Sequence, residues 1–223
     1  MKRRTLDLIF SGGGTVFAVL LLVLGYVFTD QASFARDYVK DQLGQQKITF
    51  ATAEKLTAEE KDWKPGSVCL SKYAGKAMET GKQAECYANF YIAKHMDASA
   101  TTAGFAGETY ATLGGIRSGL SADVTAAKAK NDTAGAEAAQ KKLDSATSLR
   151  GTMQTGETLR GLLLTSYGFS IFGEKAALAG VVCYVAALLM LLLAAAGFVH
   201  ALVVPKDRAV KGAGTSGAAG PRE

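Results

Sequence analysis

Two long runs of apolar residues constrain this chain more than any other feature. The first extends from about Leu6 to Phe28. Asp7 is its single charged residue, and Thr15–Phe28 carries none. The second covers about Ala176–Val204, 29 residues without an Asp, Glu, Lys or Arg. A helix of about 20 apolar residues crosses a bilayer, so each run is long enough to span one. The second has length to spare for tilt.

The basic residues orient both runs the same way. Lys2, Arg3 and Arg4 precede the first, and Lys206, Arg208 and Lys211 follow the second. Lys and Arg collect on the cytoplasmic side of spanning helices, so both termini are expected in the cytoplasm and residues 30–175 outside. That stretch holds 18 Lys and Arg against 17 Asp and Glu, so four of the five net positive charges lie at the ends. A near-neutral external region lacks the basic footprint of nucleic-acid binding. The expected partners are the lipid bilayer and other membrane subunits or copies of this chain. The Ala- and Gly-rich composition, with only 3 Pro, looks like that of a high-GC bacterium, so the membrane is expected to be a bacterial plasma membrane. A cleaved signal peptide, cut near Ser33-Phe34-Ala35, is the rival reading of the first run. Its length, and Asp30-Gln31 directly after it, favour a retained anchor.

The expected fold is an all-α membrane protein in which two transmembrane helices flank an extracytoplasmic helical domain with one disulfide. Its parts are a cytoplasmic N-terminus 1–5, a helix 6–28, an external domain 30–160, an apolar segment 161–175, a helix 176–204 and a disordered cytoplasmic tail 205–223. The 161–173 run covers only about 20 Å as a helix, too short to cross. It either extends the second span as a buried helix, the favoured reading, or lies in the interface with Tyr167, Phe169 and Phe172 at headgroup level.

Within the external domain, Asp30–Leu43 reads as a helix closed by Gly44, continuous with the first span or separate from it. Lys47–Phe50 reads as an extended connector. Thr57 and Glu60 fit a capping box, and Lys64-Pro65-Gly66 ends that helix. Cys69 and Cys86 lie in a compartment that permits disulfides and are expected to pair. Tyr87, Phe90 and Tyr91 follow at helical spacing, as a core stripe or a partner surface. A helix is expected over 101–113, broken by Gly114, Gly115 and Gly119. Two Ala-rich helices should follow over 121–150, parted near Asn131-Asp132-Thr133. Gly151, Gly156 and Gly161 punctuate the approach to the second span.

The sequence presents no catalytic, cofactor-binding or metal-ligating constellation. The 2 His, His95 and His200, fall on opposite sides of the membrane in this topology and cannot share a metal. The expected disulfide removes Cys86 as a nucleophile for His95. The stretch from Gly75 to Gln83 superficially resembles a phosphate loop. Its spacing is wrong, and Gln83 stands where Ser or Thr would meet magnesium. Gly14 and Ala18 suit close helix packing, and Cys183 is a small packing residue. Asp7 is read as an acid paired with Arg3 or Arg4, or else as a charged ring at the inner mouth of an oligomeric pore.

Several short motifs together resemble a known family. They are Arg36-Asp37-Tyr38-Val39, Gln46-Lys47-Ile48-Thr49-Phe50, Cys69-Leu-Ser-Lys-Tyr73-Ala-Gly75, Cys86-Tyr87-Ala88 and Thr158-Leu-Arg160-Gly161-Leu-Leu-Leu164, with Tyr167 and Phe169. This set is similar to a family of uncharacterised actinobacterial two-span membrane proteins, over about residues 1–205. Some members carry the name aromatic ring-opening dioxygenase. A mononuclear iron site needs two His and a carboxylate on one cavity, which this sequence does not offer. The resemblance implies lineage and topology and supplies no activity. The leading expectation is a non-enzymatic accessory or scaffold subunit of a plasma-membrane assembly. A homo-oligomeric pore and an extracytoplasmic sensor or ligand-binding domain are the alternatives.

Overall fold

The computed structural model describes residues 3–203. Lys2, the basic residues Lys206, Arg208 and Lys211, and the expected tail lie outside them. Helix dominates: α1 (Arg3–Gln45), α2 (Ala58–Asp62), α3 (Val68–Tyr73), α4 (Gly81–Cys86), a π-helical segment (Tyr87–Ile92), α5 (Ala93–Thr102), α6 (Tyr110–Ala129) and α7 (Thr133–Val203). No β-strand occurs among the described residues; Thr49 and Ala77 make an isolated antiparallel bridge. The helices gather into two compact units. One combines residues up to Ser33 with those from Glu174 onward, and the other is Phe34–Gly173. Among the described residues, helices α1 and α7 are the two that are long and apolar enough to cross a membrane.

The first unit pairs the N-terminal part of α1 with the C-terminal part of α7. The pairing is antiparallel, from Asp7 with His200, through Gly14 beside Met190 and Ala194, to Gly25 beside Tyr184 and Gly180. The buried positions recur every seven residues: Ser11, Ala18, Gly25 and Ala32 on α1, and Gly180, Ala187, Ala194 and Ala201 on α7. A seven-residue repeat keeps one stripe of each helix on its partner, and small residues there let the backbones approach closely. A Cβ on Gly180 would stand 3.2 Å from the Gly25 carbonyl oxygen. The bulky Leu, Val and Phe side chains point away from this seam. Only 17% of the most apolar stretch of α1 and 11% of that of α7 is buried.

The second unit has a core of larger side chains, with Leu70, Met78 and Leu113 fully enclosed. Three helix starts are fixed by capping boxes: Thr57 with Glu60, Thr80 with Gln83, and Thr109 with Thr112. In each, the Thr hydroxyl accepts from the N3 backbone N–H, and the N3 side chain accepts from the Thr N–H. Gly66, at φ 102°, makes the turn after α2, and a Cβ there would meet the Phe90 ring at 2.7 Å. Cys69 in α3 and Cys86 at the end of α4 form the expected disulfide, with Cα atoms 6.1 Å apart. The chain-entropy treatment assigns about 3 kcal/mol to closing a loop of this size.

Several expectations fail for identifiable reasons. Helix α1 passes through Gly44, and the reversal falls instead at Lys47, whose φ is +53°. The helix expected over 101–113 is absent: α5 stops at Thr102, and α6 begins at Tyr110. Helix α6 then runs through Gly114, Gly115 and Gly119 to Ala129. Each internal glycine costs about 1 kcal/mol. The Thr109 box and the burial of Leu113 and Val124 offset that cost. Helix α7 likewise runs unbroken through Gly151, Gly156 and Gly161. The 161–173 run lies within α7 and is buried on one side only: Leu163 is enclosed, while Phe172 is 76% exposed.

A candidate aromatic groove on the disulfide-linked unit

Helix α4 passes directly into the π-helical segment and then into α5. A π-helical turn widens the helix and re-aims its side chains, and such turns are frequent at functional sites. Here the change of pitch places Tyr87, Tyr91 and His95 in one ladder. The Tyr87 and Tyr91 ring centroids are 4.6 Å apart, and those of Tyr91 and His95 are 4.2 Å apart. Phe50 meets Tyr87 edge-on at 5.3 Å and anchors the ladder to the core. Each such ring pair contributes about 0.5–1.5 kcal/mol beyond its buried area. Arg160 on α7 donates from Nε to the Ala88 carbonyl at 3.1 Å and holds the segment against that helix.

The ladder forms one wall of an open groove of about 570 Å³. Met96 and Ile92 help line it, and Thr152, Thr155 and Leu159 of α7 stand in the opposite wall. Gly156 lacks the side chain that would collide with Met96. Burial, reinforced by the neighbouring Tyr91, pushes the Tyr87 phenol up to about 12, so it stays protonated at neutral pH. His95 bonds through Nδ1 to the Tyr91 carbonyl at 2.8 Å, and its Nε2 lies 3.7 Å from Glu60 Oε1. Glu60 also accepts from the Thr57 N–H at 2.8 Å, so its carboxylate is held by the α2 cap. The groove therefore offers ring faces and hydroxyls held in place, a surface suited to recognition.

The residues singled out from the sequence separate in the structure. Tyr87 and Tyr91 face the groove together. Phe90 does not join them; it packs toward the Gly66 turn. Cys86, just before Tyr87, ties the start of the π-helical segment to α3 through its bond with Cys69. Gly14 and Ala18 lie in the first unit's helix seam, with Ala18 fully buried. Asp7 is not paired with Arg3 or Arg4. Its Oδ2 lies within hydrogen-bond distance of His200 Nδ1, at 2.9 Å. The phosphate-loop resemblance dissolves into the Thr80 cap: Gln83 Oε1 accepts from the Glu79 and Thr80 N–H groups, and its Nε2 donates to the Ala77 carbonyl. Cys183 is a half-buried free thiol.

Sequence reasoning does not bring His95 and the α7 wall into one site. The four-residue spacing of Tyr87, Tyr91 and His95 is a signal for the ladder, but the glycines opposite give none. No group of three or more His, Cys, Asp or Glu close enough to hold a metal ion occurs among the described residues. Comparison with protein-family models, with curated proteins and with solved structures returned no match.

Proposed function

We propose that this chain is a two-span plasma membrane protein whose extracytoplasmic helical unit recognises a partner, as an accessory or scaffold subunit of a membrane assembly. The observation that carries the reading is the uncovered apolar surface of α1 and α7. Their most apolar stretches are 17% and 11% buried, whereas a core helix of a water-soluble protein would be enclosed. A bilayer supplies the missing cover. The seam between the two helices supports a retained anchor over a cleaved signal, since α1 has a packed counterpart in α7. The charge pattern supports cytoplasmic termini, with residues 30–175 outside. The resemblance to the actinobacterial two-span family agrees with the same topology.

The partner surface is the Tyr87–Tyr91–His95 groove. Tyrosine is enriched at protein interfaces because it buries a large ring and keeps a hydrogen-bonding tip. The ladder is already ordered by Phe50 and by the disulfide beside it, so little freedom is lost on binding. The pore alternative loses support, because Asp7 engages His200 within the chain.

Native mass spectrometry after mild extraction tests the proposal. The expected result is a complex containing foreign subunits in a fixed ratio, weakened by Tyr91→Ala. A monodisperse species of 23.3 kDa with no partner would overturn it. A multiple of that mass would direct attention to the pore reading, and conductance in planar bilayers would then decide.

A further inference from the structure

A second groove, of about 500 Å³, lies within the Phe34–Gly173 unit between the end of α1 and the 159–169 stretch of α7. Tyr38, Val39 and Leu43 form one wall, and Leu159, Leu162 and Phe169 form the other. Tyr38 and Phe169 meet edge-on at 5.7 Å and close one end. Leu162 is 63% exposed, so the chain alone leaves this wall wet. The remaining lining residues are neutral, and no Asp, Glu, Lys or Arg takes part. The Thr165 and Ser166 hydroxyls donate back to the carbonyls of Gly161 and Leu162, so they do not call for a polar ligand.

We propose that this groove holds the hydrocarbon tail of a membrane lipid. The inference rests on the two-span reading. Two observations select the occupant. The lining carries no charge to pair with a charged peptide or a headgroup phosphate, and apart from the Gln42 and Gln46 amides it is apolar or bonded within its own helix, which suits an alkyl chain. Second, the lining segments adjoin the spans in the sequence. Tyr38 follows Phe28 by ten residues, and Phe169 precedes Ala176 by seven. Phe34 and Phe172, both exposed, stand in those two intervals of the sequence.

The full chain in vesicles of equal parts phosphatidylcholine and phosphatidylglycerol, doped with a lipid bearing a photoreactive diazirine on its tail, provides the test. Adducts are mapped by peptide mass spectrometry after irradiation. Adducts on both spans and also on Leu159, Leu162, Phe169 or Tyr38 are expected. Leu162→Arg should reduce the groove adducts at least tenfold and leave those on the spans unchanged. Leu162 is exposed, so the variant should fold, and Leu159→Gln provides a second variant. Adducts confined to the spans overturn the groove proposal alone, as do groove adducts that neither variant reduces. A chain without adducts on either span overturns the two-span reading and this inference with it. A crosslink from the groove to a second protein in place of lipid also overturns it.

Discussion

The two units solve the problem of holding helices together by opposite means. Residues 34–173 use large enclosed side chains, three capping boxes, a ring ladder and a disulfide. The seam between α1 and α7 uses almost no large buried side chain and relies on Ser, Ala and Gly at every seventh position. The difference follows from the solvent each is proposed to face. In water, burial of apolar area drives packing, at roughly 25 cal/mol per Å². In hydrocarbon that drive disappears, and close backbone approach with interhelical contacts takes its place. The side chains that would make a core in one unit are therefore turned outward in the other.

Three perturbations test that contrast. The largest is removal of the disulfide. Cys69→Ser with Cys86→Ser should cost about 3 kcal/mol in the Phe34–Gly173 unit. Proteolysis of residues 34–173 should accelerate markedly while the helix pair stays protected; equal loss in both units would contradict the division. Next is Gly180→Leu. A side chain there meets Thr29 and the Gly25 backbone, so the seam must open at a cost of about 1–3 kcal/mol. The expected readout is faster exchange or crosslink loss between α1 and α7, with the Tyr87 environment unchanged. The smallest effect is a pH dependence confined to the groove. Between the ordinary phenol value of 10.0 and about 12, unfolded Tyr87 has released its proton and folded Tyr87 retains it. The unfolded state then binds fewer protons, so stability falls as pH rises through that window. Tyr87→Phe should flatten this part of the stability curve relative to the parent. An unchanged slope would mean that the phenol is not shielded in the groove.

Features set by a few neighbouring residues are legible in the sequence. Thr57 and Glu60 announce their cap, Cys69 and Cys86 their bond, and Asn131-Asp132-Thr133 the turn before α7. Thr80 and Gln83 satisfy the same capping pattern, but the surrounding glycines and lysine make the segment resemble a phosphate loop. The glycine rule misjudges α6 because Gly114 and Gly115 follow a firm cap at Thr109 and lie between the buried Leu113 and Val124, where context outweighs propensity. The seam is only half visible. Gly14 and Ala18 stand out as small residues, while the recurrence from Ser11 to Ala32 and from Gly180 to Ala201 emerges only once the two helices are paired. The Tyr87 groove needs Gly156 opposite Met96, a juxtaposition across 60 positions that no local pattern encodes.

The seam also raises a question of alignment. A repeat that looks alike at every seventh residue reads almost the same after one helix slides by a heptad, about 10.5 Å. Such a zipper has several nearly equivalent notches and needs an index mark to select one. The Asp7–His200 hydrogen bond and the Tyr184 ring against Gly25 do not repeat along the stripe. Each exists in a single alignment and is lost in any other. Their role is to make one notch unlike the rest, so that a pair of helices built from interchangeable small residues assembles in one place.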